Sequence, residues 1–300
     1  MRSLFDKIDW KALAENKRLK FNIGLAVVLV IFFLIAIDLV FSIYKYRVIP
    51  QTEERPKTEE RPKVEKKVEK GPAKPLRQKG PRIAIILDDA GGASVNYVRI
   101  FNIKQRLTLA ILPHLGTSAK FAKQAHDAGL EVLLHMPMEP ENPSFIRYDD
   151  GMVLCSQSNE DIKKTIESDL GTFSFAAGIN NHEGSRATSN ERVMRAVMEA
   201  IKPRHLFFID SKTSSSSLAH KMAVDLDVPS AENNVFLDSL ASEAGIAGRM
   251  KQLVAIARAR GSAIGIGHAT RPSTIYMLQK LMPEYASEGV RFVFASELVK

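Results

Sequence analysis

Six short apolar runs in this chain each lead into a residue that can bind a metal ion or move a proton. IAIIL (83–87) runs into Asp88-Asp89. EVLLH ends at His135, with Glu139 four residues on. FAAGIN leads into Asn180-Asn181-His182-Glu183, HLFFID ends at Asp210, NVFLD ends at Asp238, and AIGIG is followed by His268. An isolated Asp after a strand is commonly a helix cap. That explains one carboxylate, not two side by side before Gly91-Gly92. Adjacent carboxylates in a low-dielectric site repel and need a cation or a proton between them. Asp210 stands before a Ser/Thr-rich loop that it can also cap or hydrogen-bond. Imidazole with carboxylate suits Zn²⁺, and also Fe, Mn, Co or Ni. With one coordination position open, such an ion polarises a carbonyl and lowers the pKa of a bound water. His114, His126, His205 and His220 lack this placement and read as structural or surface groups.

These residues are far apart in sequence, so a fold must gather them. Apolar runs rich in Val and Ile read as buried parallel strands over 83–87, 107–112, 131–135, 175–180, 205–210, 234–238, 263–267 and 291–295. Helical stretches alternate with them: Thr117–Ala128, with Thr117 and Ser118 as caps and Gly129 as its stop, then Asn159–Leu170, Ser189–Ile201, Ser216–Leu226, Ala244–Arg260 and Pro272–Met282. Eight strands alternating with helices predict an α/β fold, a (β/α) barrel with some distortion. A doubly wound open sheet is the second choice; the absence of GxGxxG after the first strand counts against dinucleotide binding. In a parallel barrel every strand C-terminus opens on one face, and there the polar residues converge. Pro137–Cys155 is the one long irregular stretch and reads as a loop over the site.

Charge and hydropathy divide the chain. Residues 1–82 carry 19 Lys+Arg against 10 Asp+Glu, and residues 83–300 carry 23 against 24, so the net charge of +8 belongs to the N-terminal part. The nearly neutral remainder shows no footprint for nucleic acid. Phe21–Tyr44 is an apolar run with one charge, Asp38, long enough to span a bilayer as a helix. A cleaved signal peptide is the alternative, but no small-x-small site follows the run. Residues 45–82, with TEERPK twice in tandem, form a Pro/Lys/Glu-rich linker with few large apolar side chains. Residues 1–20 then form a cytoplasmic tail, and 83–300 the barrel domain outside the inner (cytoplasmic) membrane, on the periplasmic side. The flanking Lys/Arg counts are tied at six each, so this orientation rests on the shortness of the tail. The single Cys155 excludes an intrachain disulfide and any CxxC zinc site.

LDDAGG, LLHMPMEP, GINNHEGSR, FFIDSKT, VFLDS and GSAIGIGH, in this order, resemble the divergent polysaccharide deacetylases, a branch related to the metal-dependent polysaccharide deacetylases. The resemblance spans about Arg82 to Lys300. It implies a distorted (β/α) barrel and hydrolysis of an N-acetyl or similar acyl group on a carbohydrate. It implies Asp88 as general base, Asp89 and His135 as metal ligands, and His268 as general acid. The related enzymes place a second His four residues after the first; here Glu139 stands there, as a carboxylate ligand or a lost one. NNHEGSR replaces an Arg-Pro motif, and His182 supplies the missing imidazole. Asn181, Arg186, Asp210 and Asp238 are the expected substrate-binding residues, with Asp210 or Asp238 also able to orient a histidine and Arg186 able simply to form a surface pair.

The expected activity is metal-dependent deacetylation of an envelope carbohydrate such as peptidoglycan or its fragments, with Zn as the first choice of ion. The expected partners are that carbohydrate and the lipid bilayer. A catalytically weak carbohydrate-binding or envelope-scaffold protein is the alternative, favoured by the altered His-xxx-Glu spacing and the long tether. A two-carboxylate glycoside hydrolase leaves three strand-end histidines without a common explanation.

Overall fold

A parallel sheet curled into a distorted barrel and surrounded by helices forms the described part of the computed structural model, residues 80–142 and 151–300. The expected tail, the membrane segment 21–44 and nearly all of the linker lie outside these residues, as does the middle of the 137–155 stretch. Among the described residues no helix is long and apolar enough to cross a membrane.

The elements run β1 (Arg82–Ala90), α1 (Tyr97–Phe101), β2 (Thr108–Ile111), α2 (Ser118–Asp127), β3 (Glu131–Met138), α3 (Asn159–Gly171), β4 (Gly178–Glu183), α4 (Glu191–Ile201), β5 (Phe207–Asp210), α5 (Ala219–Asp225), β6 (Ser230–Glu232), β7 (Val235–Phe236), α6 (Glu243–Arg260), β8 (Ser262–His268), α7 (Pro272–Ser287) and β9 (Arg291–Val293). Polar caps start several helices. Ser158, Asn190 and Ser242 each accept a hydrogen bond from the backbone N–H three residues on. Thr117 and Ser118 do not cap α2. Their hydroxyls donate to the Gly91 and Leu112 carbonyls and tie the β2–α2 loop to the loop after β1.

Strand order is β6-β5-β4-β3-β2-β1-β8-β7, with every pairing parallel. The strands advance in one direction and then return to the far edge of β1. That is barrel winding; a doubly wound sheet reverses at an internal switch point. The distortion has two sources. β8 pairs with β1 along Arg82–Asp88, so β9, paired at Arg82–Ala84, must share the other edge with β2, which starts only at Ile86. No ladder joins β6 to β7; the chain crosses that gap through Asn233 and Asn234, whose N–H groups donate to the carbonyls of Asp210 on β5 and Ile264 on β8.

Side chains sort by the strand period of two. Ile83, Ile85 and Leu87 face the helices with Val132, Leu134, Ile179 and Phe208. Ala84, Ile86, Leu133, Phe207, Ile209, Ile264 and Ile266 fill the interior of the curled sheet. Both sets are almost wholly buried. The interior filling stops at the C-terminal strand ends, where polar side chains take over.

Candidate active site

The inward-facing series on four strands each run into a functional group. On β1, Ala84 and Ile86 are followed by Asp88; on β3, Leu133 by His135; on β8, Ile264 and Ile266 by His268. On β4, Asn180 and His182 occupy the inward positions. Register brings them level: Asp88 is paired with His268, His135 with Asn180, and Pro137 with His182.

Asp89 should point away from Asp88, because neighbours in a regular strand face opposite sides. It does not. Its φ is +58°, a left-handed conformation that Asp tolerates, and the β1–β2 register slips between Leu87 and Ala90. This bulge brings both carboxylates to one site. Tyr97 braces the loop that follows: its hydroxyl accepts from the Gly91 N–H at 2.6 Å and donates to the Gly92 carbonyl.

Asp89, His135 and His182 form a tight triangle. Asp89 Oδ1 is 3.3 Å from His135 Nε2 and 3.1 Å from His182 Nδ1, and the two nitrogens are 3.1 Å apart. Atoms ~2.1 Å from a common centre are ~3.0 Å apart at right angles and ~3.4 Å apart at the tetrahedral angle. The three edges are thus those of a coordination polyhedron, and the donors (one oxygen, two nitrogens) fit a divalent ion such as Zn²⁺. The electrostatics agree. Burial works to raise the Asp89 pKa, but hydrogen bonds and charge from the two imidazoles overturn it and hold the carboxyl far below its usual range. Burial works to lower the His135 pKa, but Asp88 and Asp89 raise it. Such a pocket attracts positive charge.

Asp88 is buried beside the triangle. Its Oδ1 accepts from Asn180 Nδ2 at 2.8 Å, and its Oδ2 lies 3.7 Å from His135 Nε2. Desolvation raises its pKa against the pull of His135 and Asn180. That is the condition of a base able to hold a proton.

His268 is held by Asp238, whose side chain is fully buried. Asp238 Oδ1 lies 2.8 Å from His268 Nδ1, and Oδ2 accepts the His268 backbone N–H and the Thr274 hydroxyl, each at 2.8 Å. Arg271 donates to the Asp238 carbonyl and lies 3.3 Å from its carboxylate. Gly267 allows this close approach, since a Cβ there would meet Thr274 at 2.8 Å. Burial opposes protonation of His268, but the Asp238 hydrogen bond and charge raise its pKa. The Asp238 pKa is lowered in turn: burial raises it, and His268 more than offsets that. The pair favours the protonated imidazole and engages the ring through Nδ1.

Glu139, Arg186, Asn181, Asp210 and Asp238 do not take the ligand or sugar-binding roles expected of them. Glu139 does not join the triangle. Its Oε1 pairs with Arg186 at 2.6 Å and its Oε2 accepts the Cys155 N–H, so it clamps two loops together. Arg186 is spent on that pair, although its side chain is 60% exposed. Asn181 has the opposite strand parity from His182 and is buried. It accepts from the Ser211 N–H and donates to the Glu183 carbonyl and the Thr213 hydroxyl, so it holds loops instead of sugar. Asp210 shares the outward face of β5 with Phe208, and its oxygens accept the Lys212 N–H and the Ser217 hydroxyl. Asp238 is likewise too buried for a sugar and works through His268. Asn180 stands in the Asn-Asn-His-Glu run noted in the sequence but has no role assigned there, although its inward parity two residues before His182 is a signal; Ser211, Thr274 and Arg271 carry none.

The family model described as divergent polysaccharide deacetylase matches residues 85–299. An uncharacterized protein of Haemophilus influenzae is 34% identical over 198 residues, 66% of this chain and 70% of its own length. The uncharacterized protein YibQ of Escherichia coli is 33% identical over 201 residues, 67% of this chain and 62% of its own length. The crystal structure of the uncharacterized protein ATU2773 from Agrobacterium tumefaciens C58 superposes with a TM-score of 0.68 at 25% identity, covering 76% of this chain and 92% of that one. With its motifs at the strand ends of a curled parallel sheet and a family match over most of its length, the chain belongs to the divergent polysaccharide deacetylases.

Proposed function

We propose that this protein is a metal-dependent deacetylase that hydrolyses the N-acetyl, or a related acyl, group of an envelope carbohydrate such as peptidoglycan or its fragments. The observation that carries the reading is the Asp89–His135–His182 triangle with a buried carboxylate on one side and a carboxylate-held imidazole beside it. Amide hydrolysis needs a base for the attacking water and an acid for the leaving nitrogen. Asp89, His135 and His182 are the residues that would hold the ion, Zn²⁺ first and Mn, Co, Ni or Fe as alternatives. When bound, a divalent ion supplies Lewis acidity for the acyl carbonyl and a lowered pKa for water.

The chain's own residues divide the remaining work. Asp88 Oδ2 takes the proton of the attacking water. His268 gives its Nε2 proton to the departing amine. Asp238 fixes the His268 ring and favours its protonated form, with Thr274 and Arg271 holding Asp238. Water adds across the C–N bond, leaving acetate and a free amino sugar. In this reading Phe21–Tyr44 anchors the chain in the inner membrane, and the linker lets the domain reach a polymer on the periplasmic side. The changed His-xxx-Glu spacing, which favours a binding protein without turnover, is weighed against a His182 whose Nδ1 lies 3.1 Å from both Asp89 Oδ1 and His135 Nε2.

Elemental analysis of the full chain tests the centre. About one divalent ion per chain, lost in His182→Ala, is expected. Metal-loaded protein should release acetate from N-acetylglucosamine oligomers, and Asp88→Asn should abolish release while retaining the ion. Sugar binding without metal or acetate release would instead establish the scaffold reading.

A further inference from the structure

Asn180 is fully buried on β4 and touches both halves of the site. Its Nδ2 donates to Asp88 Oδ1 at 2.8 Å and to Ser211 Oγ at 3.2 Å, and its Oδ1 lies 2.9 Å from His135 Nδ1. Every polar atom of the amide is therefore committed. The direction of the amide follows from Asp88. The NH₂ faces Asp88 Oδ1 at 2.8 Å, and once Asp88 is ionised, as a base must be before it takes a proton, that oxygen can only accept. A flipped amide would set oxygen against carboxylate and lose a charge-assisted bond. Oδ1 then faces His135, and a carbonyl oxygen can only accept from that nitrogen. Nδ1 must carry the ring proton, which leaves the Nε2 lone pair aimed into the triangle with Asp89 and His182.

We propose that Asn180 is the positioning residue of this centre: one amide, locked by Asp88, selects the His135 tautomer that can ligate an ion and aims the second oxygen of Asp88 at the same point. The metal half of this assignment rests on the function proposed above; the tautomer half stands without it. The amide also ties base to ligand, so the centre is assembled as a unit. Without it, the acceptors nearest His135 are Asp88, Asp89 and His182 Nδ1, all on its Nε2 side, at 3.7, 3.3 and 3.1 Å. The ring proton should then move to Nε2 and oppose metal.

The test is nitrogen-15 NMR of histidine-labelled, metal-free full chain in mild detergent, at a pH above the imidazole range, with the His135 signals assigned through His135→Gln. Wild type should show the proton on Nδ1, and Asn180→Leu, of similar size, should show it on Nε2. Zn²⁺ titration should find the variant about 10- to 100-fold weaker, as expected when the partner that orients a ligand is lost. Asn180→Asp keeps the acceptor for His135 and should retain the Nδ1 tautomer. A proton on Nε2 in wild type, or on Nδ1 in Asn180→Leu, overturns the assignment. If Asn180→Leu does not fold, the wild-type spectrum decides alone. Wild type with the Nδ1 proton but no affinity for Zn²⁺ supports the positioning role and sinks the metal reading only.

Discussion

Replacing Asp169 with Asn should stabilise the protein, increasingly as pH rises from about 4 to about 7. Asp169 lies on α3 with its side chain fully buried. Its Oδ1 lies 2.8 Å from His114 Nε2, while its Oδ2 is buried without a hydrogen-bond partner. Burial pushes its pKa up from 3.8 to about 7, and His114 offsets only part of that rise. The folded state thus binds this proton more tightly than the unfolded chain. The group's favourable contribution is complete below the unfolded pKa and disappears as pH rises through the folded one. A gap of about 3 units at 1.36 kcal/mol each corresponds to about 4 kcal/mol lost between about pH 4 and about pH 7. Asn has the shape of the protonated acid, can keep the His114 contact and never ionises. Its stability should match wild type at about pH 4 and exceed it by about 4 kcal/mol at about pH 8, or about 10 °C in Tm for a domain of this size. Denaturant titration of both proteins across that range measures the difference directly. Parallel curves would refute the reasoning, because they would mean that Asp169 titrates alike in both states.

Asp238→Asn should remove the anion that keeps His268 protonated, so the alkaline limb of kcat/KM for acetate release should move to lower pH and the rate should fall by about 100-fold or more; a limb that stays in place would take the proton away from His268. Glu139→Gln should leave the metal content unchanged and cost under about 1 kcal/mol, since its Arg186 partner is mostly solvated; loss of the ion would return Glu139 to the ligand set. Gly151→Ala should destabilise by about 3 kcal/mol, because φ is +94° and a Cβ would run into Asp169 and press on His114; a thermal melt near that of wild type would contradict the packing described.

Buried parallel strands and amphipathic helices write themselves plainly into a sequence, and here they did so for β1 to β5 and β7 to β9. β6 stayed hidden because Ser-Ala-Glu has neither length nor β-branched residues; it is a strand only because β5 offers it an edge. α1, five residues long, was missed too, and α7 runs past Pro283 to Ser287, beyond the expected stop. At the site, position at a strand end identified candidates but did not sort them. Parity does that: Asp88, His135, His182 and His268 continue inward series, whereas Asn181 and Asp210 fall on the outward face. Asp89 defeats parity through its left-handed φ, which no apolar pattern encodes. Glu139 was misread for a different reason, because its partner Arg186 arrives from a loop 47 residues away.

His135 and His268 differ in their Nδ1 partner, and in the proposed mechanism that difference separates a ligand from an acid. Both end an inward series, and both have Nδ1 engaged so that Nε2 faces the site. On His135 the partner is a neutral amide, which fixes the ring while adding no negative charge behind it. The attraction for a cation then comes from in front, from Asp89 and Asp88, where an ion would be bound. On His268 the partner is a fully buried carboxylate, which fixes the ring and draws a proton onto it. A carboxylate at 180 would set another negative charge against Asp88, and an amide at 238 would leave His268 less readily protonated. The division between ligand and acid is therefore set by residues that touch neither ion nor substrate.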